Sequence, residues 1–384
     1  MISIQEKDKC CGCHACMNIC PKGAIKMQED EFGFKYPIVD KKKCINCGLC
    51  EKVCPIINNS KENKTNPEAF VCVNNNENER LNSSSGGIFI LLAKEIIKRK
   101  GIVFGASFDK DFNVIHTYAS TEKELEKFMG SKYVQSIIGE TYKKAKEFLD
   151  NDRYVLFTGT PCQIEGLKKF LNKDYKKLYT QDIICHGVPS PLVWNKYKEF
   201  RQKKDGKNPN NVFFRNKDNG WKTFNMKFIY KDEEYKQDLS KDPYMQAFLK
   251  NTSLRESCYN CSFKKKKRVS DITLADYWGV NKKHPKYDDD KGTSLVIIHS
   301  SKGRELFDSI NKNLKYERTN IDEALAYNTA MTKSVIKDHN RDKFFENLDS
   351  LEFDELVKQF TYQIPFHKKA INKLKNIIKR ILHK

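Results

Sequence analysis

The chain has 384 residues, with 70 Lys and Arg against 50 Asp and Glu, a formal net charge of +20, and 14 Cys. That length allows a large core, or one large domain with small attachments. The longest apolar stretch, Ile88 to Ala93, is far too short to span a bilayer, and the opening MISIQEKDKC has no apolar run of the kind a signal peptide needs. The expected compartment is therefore the cytoplasm, where so many cysteines argue for metal or redox chemistry rather than disulfides. The lysines are scattered, often beside glutamates as in EKDK and EKELEKF, which describes a solvated surface, so no nucleic-acid partner is expected from charge alone.

Cys10 to Pro21 reads CCGCHACMNICP. Cys10, Cys13, Cys16 and Cys20 have the spacing C-x2-C-x2-C-x3-C-P, and the spacing recurs at Cys44, Cys47, Cys50 and Cys54 before Pro55. This internal repeat is the bacterial two-cluster ferredoxin pattern, in which three close thiolates bind one 4Fe-4S cube and the fourth ligand comes from the other copy. Cys10, Cys13, Cys16 and Cys54 are thus expected at one cluster, and Cys44, Cys47, Cys50 and Cys20 at the other. A pair of zinc sites would favour two C-x2-4-C pairs apart in sequence, not three cysteines in a row. Cys11 fits no ligand position and is expected as a small residue packed beside a cluster. Two clusters, each about −2 with its thiolates, would also cancel part of the positive charge.

Asn58 to Pro67, NNSKENKTNP, reads as a polar linker. Beyond it strands are expected at Phe70 to Val73, Ile102 to Phe108, Val114 to Ala119, Tyr154 to Phe157, Leu178 to Cys185 and Ser294 to His299. Helices are expected after the NSSSGG turn, over EKELEKFM behind a Thr121/Glu124 capping box, over Thr141 to Leu149, over Cys162 to Phe170, and from Pro191 with Ser190 as cap. Asn211 to Tyr230 reads as a hairpin-rich insert. The alternation predicts an α/β (α+β) chain: a small two-cluster ferredoxin domain (1–57), a linker (58–67), a larger mixed-sheet α/β domain (68–345), and a helical basic tail (346–384).

Two strand-to-helix junctions carry chemistry. In FTGTPCQIEGL, Cys162 falls near a helix N-terminus, a location that favours the thiolate. In DIICHGVPSP, Cys185 follows a strand beside His186. Cys258 and Cys261 form a later C-x2-C pair in CYNC. Cys162, Cys185, Cys258 and Cys261 could together hold a third 4Fe-4S cluster or a zinc ion, and a Cys162–His186 nucleophile pair is a third reading. The serines and glycines Ser84, Ser85, Gly86 and Gly87 at a helix start form a natural phosphate cradle, and GSKYVQS adds Lys132 as a charge and Tyr133 as a stacking surface. Asp271, Asp276 and Trp278 follow the CYNC pair, with pocket and structural roles both open.

The combination of R-x2-SSSGG (Arg80, Ser83 to Gly87), GSKYVQS, FTGTPCQIEGL, DIICHG, FRNKDNGW (Phe214 to Trp221), CYNCSF and SDITLADYWG (Ser270 to Gly279) resembles the beta subunits of coenzyme F420-reducing hydrogenases and F420-linked dehydrogenases. The resemblance, with the ferredoxin domain, covers most of residues 5 to 300. It implies FAD and an iron–sulfur cluster in the larger domain. It makes Cys162, Cys185, Cys258 and Cys261 the ligand set, and Ser84 to Gly87 with Lys132, Tyr133 and Gln135 the flavin contacts. It further implies an oxidoreductase whose FAD exchanges hydride with coenzyme F420 or another organic substrate, with ferredoxin or F420 as redox partner. The alternative is a non-catalytic electron-transfer subunit feeding a partner enzyme. The tail from Phe366 to Lys384 repeats Ile371, Leu374, Ile378 and Ile381 at helical spacing among lysines; packing on the main domain is expected ahead of contact with an anionic membrane surface.

Overall fold

The computed structural model describes residues 1–58 and 66–361. Most of the expected linker (59–65) and of the basic tail (362–384) lies outside the described residues, and the tail's amphipathic repeat with it. Among the described residues no helix is long and apolar enough to cross a membrane.

The N-terminal unit holds one antiparallel hairpin, β1 (Ile25–Glu29) and β2 (Lys35–Val39), registered Ile25 to Val39. Its turn is fixed by Asp30, whose Oδ1 accepts from the N–H groups of Phe32 and Phe34 at 3.1 and 2.8 Å. Two short helices, Ala15–Ile19 and Leu49–Lys52, flank it.

The main unit is built on an eight-stranded mixed sheet. Its strands are β3 (Glu68–Asn74), β4 (Ile102–Phe108), β5 (Val114–Ala119), β6 (Val155–Thr158) and β7 (Leu178–Ile183), then, past a three-stranded antiparallel insert of β8 (Asn211–Asn216), β9 (Asn225–Ile229) and β10 (Glu234–Asp238), also β11 (Ile272–Asp276), β12 (Ser294–Ile298) and β13 (Leu314–Thr319). The order is β13-β3-β12-β11-β7-β6-β4-β5. The four central strands β4, β6, β7 and β11 run parallel and the flanking pairs antiparallel. Parallel strands are buried on both faces, and side chains alternate between them. On β6, Leu156 joins the core under the Ile88–Lys98 and Ser301–Ile310 helices, while Val155 and Phe157 join the one under Thr141–Asp150 and Pro161–Leu171.

That second core does not stop at the main unit. It includes Cys11, Cys13, Ala15 and Val53, so the N-terminal unit shares apolar burial with the sheet's helices. Phe34 and Tyr36 of the hairpin enter a separate aromatic core around Trp194 and Tyr197. Gly33 is required at the hairpin tip: φ is +77°, and a Cβ there would stand 2.3 Å from Leu192 Cβ.

The expected strands and helices are found close to their predicted bounds, with two differences. EKELEKFM forms a 3-10 helix, Lys123–Phe128, rather than an α-helix. It spans under two turns and buries Leu125 and Phe128, three residues apart, which the 3-10 period eclipses. Glu124 does reach back, accepting from the N–H groups of Ser120 and Thr121 at 2.8 and 3.1 Å. The strand expected through Cys185 ends at Ile183, whose carbonyl is taken by Arg268 Nη1 at 2.7 Å, and a last, longer ladder bond runs from Ile184 N to Leu274 O at 3.3 Å.

Candidate iron–sulfur and flavin sites

The cysteines line three cavities. The first is walled by Cys10, Cys13, Cys16 and Cys54, with Cys11 beside them. The second is walled by Cys20, Cys44, Cys47 and Cys50. Each thus draws three thiols from one repeat and the fourth from the other. The backbone turns that aim them need left-handed residues: Gly12 and His14 at the first, Asn46 and Gly48 at the second. Backbone N–H groups point at the sulfurs, Ile2 N to Cys50 Sγ at 3.4 Å and Ala24 N to Cys20 Sγ at 3.3 Å, a contact that tunes cluster potential. The first cavity is mostly buried, whereas Cys47 of the second is exposed.

The third cavity, about 560 Å3 against about 330 Å3 for the first and 380 Å3 for the second, is walled by Cys162, Cys185, Cys258 and Cys261. The fold explains how they meet. β6 and β7 are adjacent and parallel, so the residues just beyond their C-terminal ends share one rim of the sheet, where α/β folds place ligands. Cys162 sits in the first turn of the Pro161–Leu171 helix, started by a Thr160/Gln163 capping box. Cys185 follows β7. The CYNC segment is drawn in by pairing with the chain after Cys185: Arg255 N donates to Val188 O at 3.0 Å, Ser190 N to Ser253 O at 2.9 Å, and Val188 N to Cys258 Sγ at 3.5 Å.

The electrostatics differ from the expectation at Cys162. A helix N-terminus alone would lower its pKa, but a hydrogen bond with Cys11 and then burial push it well above the thiol range. Burial likewise pushes Cys185 up to about 12. Binding a metal would release these protons, because a thiol ligates as the thiolate. Cations stand ready nearby: Lys264 donates to the carbonyls of Cys185 and Ala330, and Arg268 forms a buried ion pair with Asp182 at 3.1 Å. The nucleophile reading finds no assembled pair among the described residues. His186 Nε2 is bonded to Asn251 Oδ1 at 2.6 Å, and Cys162 to the Thr160 hydroxyl at 3.1 Å.

The expected flavin contacts fall into three places. Ser84 Oγ accepts from Ser131 N at 2.6 Å and contacts its hydroxyl at 2.9 Å, which joins the SSSGG turn to the loop carrying Lys132. Ser85 Oγ donates to Thr293 O at 3.0 Å, and Gly86 N to Ser294 Oγ at 2.9 Å. Gly86 is required by packing, since a Cβ would lie 2.6 Å from Cys72 O, and Gly87 caps the Ile88–Lys98 helix at φ +79°. Lys132 lies 5.6 Å from the Phe108 ring centroid, and burial drops its pKa to about 7. Tyr133 stacks on Phe248 at 4.7 Å, inside the aromatic core. Gln135 lies elsewhere, on the seam with the N-terminal unit, where its Nε2 donates to Cys11 O at 3.1 Å.

Other residues gain importance only in three dimensions. Lys217 Nζ donates to Arg80 O, Ser85 O and Lys291 O at 2.6, 3.1 and 2.7 Å, tying the SSSGG turn to its neighbour loop. Arg215 pairs with Asp276 at 2.5 Å, 4.4 Å from the Phe224 centroid, and its Nε and Nη2 have no hydrogen-bond partner among the described residues. Trp221 and Trp278 stack nearly parallel, 4.8 Å apart. Asp271 proves structural: it accepts from Thr180 N, Thr180 Oγ1 and Ser300 Oγ at 2.8, 2.7 and 2.6 Å. No sequence pattern marks Arg255, yet it is 1 % exposed and donates to two backbone carbonyls across the seam, Cys10 O and Lys35 O, and to Gln135 Oε1 on its own side.

Residues 9–57 match the model of the 4Fe-4S dicluster domain, and residues 152–324 match that for the C terminus of the coenzyme F420 hydrogenase/dehydrogenase beta subunit. No curated protein matches the chain. Among solved structures it is similar to a chain from a xenon-derivatised F420-reducing [NiFe] hydrogenase complex of Methanosarcina barkeri, at 15% identity and TM-score 0.46 over 70% of this chain and 90% of that one.

Proposed function

We propose, from the premise that residues 152–324 belong to the F420 hydrogenase/dehydrogenase beta-subunit family and residues 9–57 to the 4Fe-4S dicluster domain, that the chain is an iron–sulfur flavoprotein oxidoreductase. It passes electrons between 4Fe-4S clusters and an FAD that exchanges hydride with coenzyme F420 or another organic substrate. The observation that carries this reading is the third thiol-lined cavity, set at the sheet's ligand-binding rim and directly against the dicluster unit.

Four thiols around an open cavity fit a cube with a cysteine at each iron. A zinc ion would instead need four sulfurs about 2.3 Å from one point, and metal analysis distinguishes the two. Lys217 lies on the hydroxyl-rich Ser84–Gly87 turn and Lys132 on the loop bonded to it, while Arg80 and Arg215 stand nearby paired with Asp289 and Asp276, a set of donors that could meet a dinucleotide's diphosphate. A bound flavin would supply the one chemistry thiols and cations lack, the exchange of a hydride for two single electrons. The chain's own contribution there is positional. Lys217 fixes the turn, Arg215 holds a positive charge against Asp276, and the aromatic core around Tyr133 keeps water out.

The test is composition after strictly anaerobic purification. About twelve irons and one FAD per chain are expected, falling to about eight irons in Cys258→Ser with FAD retained. Lys132→Ala combined with Arg215→Ala is expected to weaken FAD retention at least tenfold, about 1.4 kcal/mol, at unchanged iron content. The loaded protein is then offered reduced ferredoxin and coenzyme F420, with hydride transfer as readout. Eight irons, bound zinc and no flavin in the unaltered chain would overturn the proposal in favour of an electron-transfer subunit that feeds a partner.

A further inference from the structure

Cys11 has no place in either ferredoxin ligand set, yet it is 7 % exposed and lines two cavities at once. It lines the first cavity beside Cys13 and the third beside Cys162. The second cavity is different: every residue around it lies between Met1 and Cys50, and none belongs to the main unit.

The loop that carries Cys11 is clamped. Gln135 Nε2 donates to Cys11 O at 3.1 Å. Arg255 donates to Cys10 O at 2.8 Å, to Gln135 Oε1 at 3.0 Å and to Lys35 O at 3.1 Å, with Tyr36 under its guanidinium at 4.2 Å. From the other side Cys13 packs on the Cys162 helix at Gly166, where a Cβ would stand 2.9 Å from Cys13 Cβ. Such fastening exceeds what a small filler residue needs. It holds one sulfur at a fixed position between two sets of sulfurs.

The geometry points to Cys11 as the junction through which single electrons cross between the Cys10/Cys13/Cys16/Cys54 site and the Cys162/Cys185/Cys258/Cys261 site, with the exposed Cys20/Cys44/Cys47/Cys50 site as the outward terminus. This rests on the third-cluster reading above. In each crossing one cluster is oxidised by one electron and the other reduced by one, no bond to Cys11 forms or breaks, and a low-potential one-electron donor such as reduced ferredoxin or dithionite supplies the charge. Tunnelling falls steeply with the gap between redox centres, and a packed, polarisable sulfur carries an electron across that gap better than a void would. Arg255 adds a fixed positive charge beside both sites that favours the reduced state of each.

The test uses the full chain, loaded anaerobically, with Cys11→Ala and Cys11→Ser. Iron per chain is counted, and the growth of the third site's electron paramagnetic resonance signal is followed by freeze-quench after mixing with dithionite. The expected result is unchanged iron, near twelve, with the third site reduced at least tenfold more slowly. A rate within twofold of the unaltered chain at full iron content overturns the inference and leaves the third cluster standing. Loss of about four irons in the variants also overturns it, by making Cys11 a ligand. An unaltered chain with about eight irons removes the third-cluster reading and the inference together.

Discussion

Arg255 and Asp271 are both buried charges, and each is surrounded by groups that would be left unpaired without it. Removing one partner of a buried charged hydrogen bond strands the others, at about 1.5–3 kcal/mol per bond to a charge. Arg255→Ala is therefore expected to cost about 3 kcal/mol and to loosen the N-terminal unit. Limited proteolysis should then release an N-terminal fragment that the unaltered chain retains. Asp271→Ala removes the acceptor that holds Thr180 to Ser300 across β7 and the turn after β12, and a comparable loss is expected with no change in iron or flavin. Thermal unfolding of both variants, with cofactor content measured in parallel, checks the pair. A lower iron content in Asp271→Ala would return that residue to the pocket.

At the scale of elements, the decisive contact is between the Pro161–Leu171 helix and the Cys10–Cys13 loop. Gly166 lets them touch, and Tyr142 Oη, which donates to Gln163 O at 2.7 Å, closes the same gap. Gly166→Val puts two extra methyl groups and a Cβ where there is room for none. Overpacking of this kind costs about 1–3 kcal/mol. It is expected to lower the unfolding temperature by several degrees and to widen the separation of the first and third sites. Dipolar coupling between the two reduced clusters reads that separation directly, and unchanged coupling would mean the loop is held by other contacts.

For the whole molecule, the clearest lever is acid. Burial drops His116 to about 4 and His299 to about 3, against about 6.5 unfolded. Below about pH 6.5 the unfolded chain takes up protons that the folded chain refuses, so stability falls with pH through that window and is fully present above it. Between pH 6.5 and 5 each group contributes a loss of about 1.6 kcal/mol. His116→Gln and His299→Gln are expected to start less stable at neutral pH but to show a flatter dependence of unfolding temperature on pH. A slope unchanged in both variants would assign the acid lability to other groups.

The sequence by itself determined what is written in short-range spacing. The two C-x2-C-x2-C-x3-C-P repeats imply their ligand exchange because a cube needs a fourth thiol that its own repeat cannot reach. The β–α alternation pointed to the mixed sheet, and the motifs from Arg80 to Gly279 pointed to the family whose model matches residues 152–324. Local periodicity carried less where an element is short, which is why EKELEKFM settled as a 3-10 turn. The tertiary structure alone decided whatever depends on distant segments meeting. Gln135 follows Lys132 and Tyr133 in sequence, but its amide bonds to Cys11 and Arg255, 124 and 120 residues away. The helix N-terminus at Cys162 favours a thiolate, but the approach of Cys11 and the loss of solvent reverse the sign. Cys11 itself looked spare because ligand spacing is counted along the chain, whereas the passage of an electron depends on distance through space.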